Sequence, residues 1–309
     1  MSRILLAGVN GQLGQELQQT LAPLGEVIGV GRKTMDLTQS ASIRQVIAEV
    51  KPDLIVNAAA YTAVDKAETE RELAQAINAV APTTLAEEAQ RLGATLIHVS
   101  TDYVFDGRKN TPYTEEDVTN PIGVYGQSKL AGEEGIRQTS DRHIILRTAW
   151  VYGTHGKSNF VKTMLRLFAE RDEIRVVADQ LGTPTWASEI ARAMHAIAKC
   201  CCEENAILEP QRSQDRELSS LPTGTYHFTN SGVASWYDFA VAIFEEAQQL
   251  GFPLKVQRIV PIATSEYPTP AQRPAYSVLS GKKISALVLG THPPHWRQGL
   301  RKMLVEFSP

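Results

Sequence analysis

Arg3-Ile4-Leu5-Leu6-Ala7-Gly8-Val9-Asn10-Gly11-Gln12-Leu13-Gly14 stands near the start of the chain, and its reading decides the fold. Arg3 to Ala7 is a short apolar run of the kind that forms a buried parallel strand. Three glycines follow, and Gln15 to Leu21 carries a helix. Glycine at 8 allows a tight turn, at 11 it lets the backbone approach a diphosphate, and at 14 it lets helix and strand pack closely. The helix amino terminus then offers N–H groups and a favourable dipole to phosphates. A glycine trio alone is a weak signal. Lying between a first strand and a first helix, with Gln12 and Leu13 inside the turn, it reads as a dinucleotide site.

Working outward, Glu26 to Val30 is the second strand, ending in Gly31-Arg32-Lys33. An acidic residue there would suit a ribose diol, whereas Arg32 and Lys33 suit a 2′-phosphate. NADPH is the expected cofactor; use of NADH, or a plain solvated loop, stays open. Asp36 and Leu37 either hold an adenine, one by its amino group and one by its face, or simply enter the helix from about Ser42 to Val50. Pro52 breaks that helix, and Asp53 to Val56 is the third strand. The small residues Ala58, Ala59 and Ala60, followed by Tyr61, leave room for a cofactor over the backbone, or serve tight packing. A helical stretch runs from about Glu70 to Leu92, bent or interrupted by Pro82.

Thr95 to Val99 is a β-branched apolar strand, so Ser100 and Thr101 stand at its carboxyl end, the edge where open α/β sheets bind ligands. Tyr125 and Lys129 are four apart in a helical stretch reaching about Gln138, a spacing that stacks both side chains on one face. A hydroxyl, a phenol and an ammonium converging on one cleft make a proton-delivery device, the equipment of a reductase.

A chain of 309 residues accommodates a large α/β domain plus a smaller lobe. A formal net charge of −3 argues against nucleic acid as a partner. No apolar run approaches a membrane span, and the first apolar run is too short for a signal peptide, so a cytoplasmic location is expected. Cys200, Cys201 and Cys202 are consecutive and make poor tetrahedral metal ligands, so they read as reduced thiols. No local cluster demands a metal.

Beyond residue 140, His143 to Arg147 is a strand ending in Thr148-Ala149-Trp150-Val151-Tyr152-Gly153, whose aromatics either stack on a sugar or base or fill the core. Phe160 to Glu170 is an amphipathic helix, Ile174 to Val177 a strand, and Ala187 to Lys199 a helix. Residues 203–220 are polar and read as a surface insertion. Gly224 to Phe228 is a strand, Ser235 caps a helix from Trp236 to Leu250, and a proline-rich stretch leads to a helix near His295 to Glu306. The expected architecture is α/β: a doubly wound parallel Rossmann sheet over 1–150, rejoined by 174–200 and 224–250, with a smaller C-terminal substrate-binding lobe mainly within 151–309.

Several segments together resemble the extended short-chain dehydrogenase/reductases and, more narrowly, the dTDP-4-dehydrorhamnose reductase family. They are Asn57 to Glu68, Ser100 to Gly107, Tyr125 to Glu133, Arg147 to Gly153, Gly182 to Thr185 and Pro268 to Pro274. The likeness spans nearly the whole chain, with 203–220 the main departure. It implies hydride transfer from NAD(P)H to the C4 ketone of a dTDP-sugar, for a cell-surface polysaccharide, by a monomer or homodimer. Tyr125 would donate the proton, Lys129 and the oxidised cofactor would lower the phenol's pKa, Lys129 would hold the nicotinamide ribose, and Thr101 would bond the ketone oxygen. Asp102, Tyr103, Trp150, Val64 and Arg273 would border the sugar nucleotide. Some family members use magnesium, for which Glu16 and Glu189 are scattered candidates; none is expected here. Two other readings follow from resemblance: a regulatory subunit like the β subunit of methionine adenosyltransferase, and a reductase or epimerase of another nucleotide sugar.

Overall fold

The computed structural model describes residues 2–207 and 223–308. Six parallel strands form the central sheet: β1 (Ser2–Ala7), β2 (Gly25–Val30), β3 (Leu54–Asn57), β4 (Thr95–Thr101), β5 (His143–Thr148) and, after a long excursion, Gly224–His227. The spatial order is Gly224–His227, β5, β4, β3, β1, β2. The chain moves outward from β1 to β2, then returns past β1 to β3, so the order reverses between β1 and β3. Helices cross over between strands: α1 (Gln12–Leu21), α2 (Ser40–Val50), α3 (Ala81–Leu92) and α4 (Val124–Thr139).

Alternating apolar residues bury both faces of the sheet, as a parallel sheet between helices requires. Ile4 and Leu6 of β1 pack with Leu13, Leu17 and Leu21 of α1 and with Ile190, Met194 and Ile197. Leu5 and Ala7 face the opposite layer, with Ile43 and Ile47 of α2 and Leu85 and Ala89 of α3. The helical stretch expected over about 70–92, bent or interrupted by Pro82, runs from Arg71 to Leu92 with one irregularity: a π-turn at Ala76–Val80 joins a first turn at Arg71–Gln75 to α3. The π-turn stands just before Pro82, whose missing N–H breaks the regular ladder at that point.

The second lobe has its own core. α5 (Phe160–Glu170) contributes Val161, Leu165 and Phe168. β6 (Glu173–Val177), α6 (Ala187–Ile207), β7 (Gly224–His227, the sixth sheet strand), α7 (Trp236–Gln249), β8 (Arg258–Ile262) and α8 (Trp296–Phe307) complete the chain. The expected return of 174–200 and 224–250 to the main sheet divides. α6 packs on α1 and β7 pairs with β5. β6 does not join the sheet: it pairs with β8 inside the lobe, and α7 packs there through Phe239, Ala240 and Ile243. An apolar run fixes that a strand is buried, and the partner that buries it comes from residues 258–262. The helix expected over 187–199 continues to Ile207, and the remainder of the expected insertion, 208–220, lies outside the described residues. Ser235 caps α7 as expected, in a capping box with Asp238.

Candidate active site

The crevice where the strand order reverses lies at the carboxyl ends of β1 and β3, the place where such sheets take ligands. Gly8 turns there with φ +87°, and a Cβ on it would sit 2.8 Å from the amide nitrogen of Ala59. A Cβ on Gly14 would lie 2.1 Å from the Gly8 carbonyl oxygen, so α1 is drawn tight against the turn. No side chain caps α1 at Gly11, leaving first-turn N–H groups available to an anion. The cradle therefore fits a dinucleotide diphosphate, with Gly14 acting through packing rather than by lining the crevice.

One recess of about 340 Å³ is lined by Arg32, Asp36, Leu37, Ala59, Ala60 and Tyr61, together with Met35 and Ile77. A cleft of about 710 Å³ shares Gly8, Ala59 and Ala60 with it and extends past Gly11, Gln12, Leu13 and Ala58 to Val64, Thr101, Asp102, Tyr103, Tyr125, Lys129 and Trp150. Most expected site residues are thus brought into one continuous crevice. In the recess, Asp36 serves its own turn: its Oδ1 accepts from the Thr38 N–H at 3.0 Å and hydroxyl at 2.8 Å, which hold the carboxyl below its ordinary range. The helix-entry role and the recess wall are both real. Tyr61 donates to Glu70 at 2.6 Å, a bond that pushes its phenol up to about 12. Its backbone is clamped by the Asn78 side chain, from the π-turn, at 2.8 and 3.0 Å.

At the centre, the register sets Thr101 opposite Thr148 at the ends of β4 and β5. Glu68 accepts from the Val124 N–H at 3.0 Å and so fixes the start of α4, from which Tyr125 and Lys129 project into the cleft. Burial raises the Tyr125 phenol to about 12; a hydrogen bond with Thr101 works against that rise, and the nearby Asp102 carboxylate adds to it. Lys129 stands one turn further along α4. Its amine, 1% exposed, lies 2.7 Å from the Val99 carbonyl oxygen and 3.1 Å from His98 Nε2. Asp102 is likewise buried, which raises its carboxyl to about 6 against hydrogen bonds from Ser277 and Thr101. Tyr103 packs edge-on against Tyr125 with centroids 5.4 Å apart.

Trp150 holds a left-handed backbone, φ +46°, rare for a bulky residue. Its indole stacks on Trp236 of α7 at 3.5 Å and 5°, while both rings line the cleft. Packing and wall are again one role. Arg273 is held away from the cleft lining: its guanidinium bonds Asp65 at 2.8 Å and the Ala271 carbonyl at 2.9 Å.

With this geometry in place, the chain matches the RmlD substrate binding domain family over residues 1–308. It belongs to that family. Relatives of the RmlD family include the dTDP-4-dehydrorhamnose reductase of Burkholderia thailandensis, 44% identical over 298 residues, covering 96% of this chain and 95% of its own. The Escherichia coli K12 protein of the same name is 43% identical over 310 residues, covering 98% and 97%. The spore coat polysaccharide biosynthesis protein SpsK of Bacillus subtilis is 42% identical, covering 100% and 99%. The crystal structure of dTDP-4-dehydrorhamnose reductase from Bacillus anthracis in complex with NADP aligns with TM-score 0.84 and 37% identity over 99% of both chains. The UDP-glucose 4-epimerase of Thermotoga maritima, TM-score 0.75 at 16% identity, shares the fold.

Within this RmlD architecture, several lining residues escaped sequence reasoning. Trp236 and Lys157 come from the second lobe, Met35 and Ile77 from an ordinary turn and a helix. No motif marks them; only the aromatic start of an amphipathic helix hinted at Trp236. The two scattered acids are otherwise engaged, Glu189 with Arg192 at 2.6 Å and Glu16 facing His155 at 3.9 Å.

Proposed function

We propose that this chain is an NADPH-dependent dTDP-4-dehydrorhamnose reductase, reducing the C4 ketone of dTDP-4-dehydro-β-L-rhamnose to dTDP-β-L-rhamnose. One observation carries the reading: Thr101, Tyr125 and Lys129 share a single cleft with the glycine turn of β1. The names of the curated relatives and the NADP complex of the Bacillus anthracis protein support it. Gly8, Gly11 and the first turn of α1 would hold the diphosphate, Arg32 the 2′-phosphate, Ala58 to Ala60 the floor, and Lys129 the nicotinamide ribose. The dinucleotide, when bound, supplies the hydride.

The residues of the chain handle the proton. A phenol raised to about 12 is fully protonated at neutral pH, as a donor must be before charge develops. Tyr125 gives that proton to the C4 oxygen as the alkoxide forms, and Thr101 steadies the same oxygen by hydrogen bonding. The tyrosinate left behind is refilled from Lys129 or solvent. Trp150, Tyr103, Asp102 and Val64 form the walls for the sugar nucleotide. Arg273 meets it only by leaving Asp65.

The name of the SpsK relative supports a role in polysaccharide synthesis. No helix among the described residues is long and apolar enough to cross a membrane, which accords with work in the cytoplasm. The test is the decay of nicotinamide absorbance with ketosugar made in situ by the preceding dehydratase and epimerase, comparing dTDP-, GDP- and UDP-linked acceptors and NADPH with NADH. Tyr125→Phe should lose at least about a hundredfold in turnover, the low end for general acid catalysis, while still binding NADPH. Wild-type protein that binds NADPH yet oxidises it with no dTDP-ketosugar overturns the reading in favour of a regulatory subunit.

A further inference from the structure

Behind the cleft, three side chains from three different elements form a closed hydrogen-bonded line. The sheet register sets Asn57 of β3 beside His98 of β4. The Ala59 N–H donates to Asn57 Oδ1 at 3.1 Å, so the amide orientation is fixed, because a backbone N–H can only donate. Asn57 Nδ2 then faces His98 Nδ1 at 3.0 Å. An amide NH2 also only donates, so Nδ1 must accept. His98 is fully buried, and that burial pushes its pKa well below the ordinary value. A neutral ring that accepts at Nδ1 carries its proton on Nε2.

That Nε2–H points at Lys129 Nζ across 3.1 Å. An ammonium has three donors and no lone pair, so a charged Lys129 would set donor against donor. An uncharged amine instead accepts from His98 and donates to the Val99 carbonyl at 2.7 Å. We propose that Asn57 and His98 are positioning residues for Lys129: the amide locks the imidazole as the Nε2–H tautomer, which donates to the lysine amine and favours its uncharged form.

The surrounding groups are consistent with a lysine poised between two states. Burial pulls its pKa down to about 8, opposed by the Glu133 carboxylate one turn along α4. Glu133 is itself held by Arg147 at 2.6 Å and Arg137 at 2.7 Å. The amine itself is bonded to His98 and the Val99 carbonyl, with Asn57 on the far side of the imidazole. The functional consequence rests on the reading of Tyr125 as proton donor. A lysine that exchanges its proton near neutral pH can refill the phenol after each turnover.

The experiment is 15N NMR of the full-length protein labelled at histidine, with the His98 signals assigned by their loss in His98→Gln. The proposal expects a protonated Nε2 and a bare Nδ1. Asn57→Asp replaces the donor to Nδ1 by an acceptor, so the tautomer should flip and Nε2 should accept from an ammonium. The high-pH limb of kcat for ketosugar reduction should then move up by about one unit or more, each unit being tenfold in proton affinity. An Nδ1–H tautomer or an imidazolium in the wild type overturns the proposal. So does a folded Asn57→Asp variant whose tautomer and pH limb stay where they were. If Asn57→Asp does not fold, the wild-type tautomer decides alone. Loss of the parent reading is separately visible, as Tyr125→Phe retaining turnover while His98 still shows the Nε2–H form.

Discussion

Replacing Arg147 by leucine should destabilise the sheet domain and reverse part of its pH dependence. Glu133 is fully buried beside β4, and its carboxylate takes bonds from Arg147 at 2.9 and 2.6 Å, from Arg137 at 2.7 Å and from Ser100 at 2.5 Å. Removing one partner of a buried ion pair costs about 3–5 kcal/mol, because the other charge stays buried. Arg137 remains in Arg147→Leu, which argues for the lower end, about 3 kcal/mol. Unfolding entropy of about 2.1 cal/mol/K per residue gives roughly 0.65 kcal/mol/K for a chain of this length, so Tm should fall by about 5 °C. Burial pushes the Glu133 carboxyl up, but Arg147, Ser100 and Arg137 outweigh it and leave it below its ordinary value of 4.5. In the wild type this group therefore contributes stability above about pH 4.5 that is lost as pH falls through its folded value. With Arg147 gone the folded value should rise above the unfolded one, so this group's contribution is present at low pH and lost as pH rises. Differential scanning calorimetry at pH 5 and pH 8 reads both effects. A variant melting within about 1 °C of wild type at both pH values would refute the reasoning, and Arg147→Leu with Glu133→Leu should recover much of the loss.

Gly14→Ala forces a methyl group against the Gly8 carbonyl, and the 1–3 kcal/mol typical of overpacking, at tenfold per 1.4 kcal/mol, should weaken NADPH binding by about five- to 150-fold in a fluorescence titration. Arg32→Ser should lower the NADPH-to-NADH ratio of kcat/KM roughly tenfold, since a hydrogen bond to a charged group contributes about 1.5–3 kcal/mol and this one is solvent-exposed. Trp236→Ala removes the ring on which Trp150 rests, so KM for the sugar nucleotide should rise by up to about tenfold, matching 0.5–1.5 kcal/mol for an aromatic pair; unchanged KM would take Trp150 out of the substrate wall.

The parts legible in the sequence were those written locally. Gly8, Gly11 and Gly14 announce a turn because backbone conformation and close approach depend on the residue itself. Tyr125 and Lys129 fall on one face because helix periodicity does not depend on the rest of the molecule. Thr101 could be placed at a strand end from an apolar run and its boundary. Assignments needing distant partners were hidden. Asn57 and His98 meet across 41 residues only once β3 and β4 are in register. Trp236 reaches the cleft from the other lobe, β6 leaves the main sheet for β8, and the Lys129 amine turns to Val99 and His98 rather than toward the phenol. In each case the deciding contact is tertiary, so neither spacing nor propensity carries it.

The late arrival of β7 has a bearing on how the molecule is made. During synthesis β5 emerges some eighty residues before the strand that pairs with it, and α6, which shields the outer side of α1, is also still to come. A nascent chain halted near residue 150 would carry an open ribbon edge and a bare oily flank, both invitations to aggregate. Until α6 and β7 have left the ribosome, that flank stays bare and β5 stands at the rim of the sheet in place of β7.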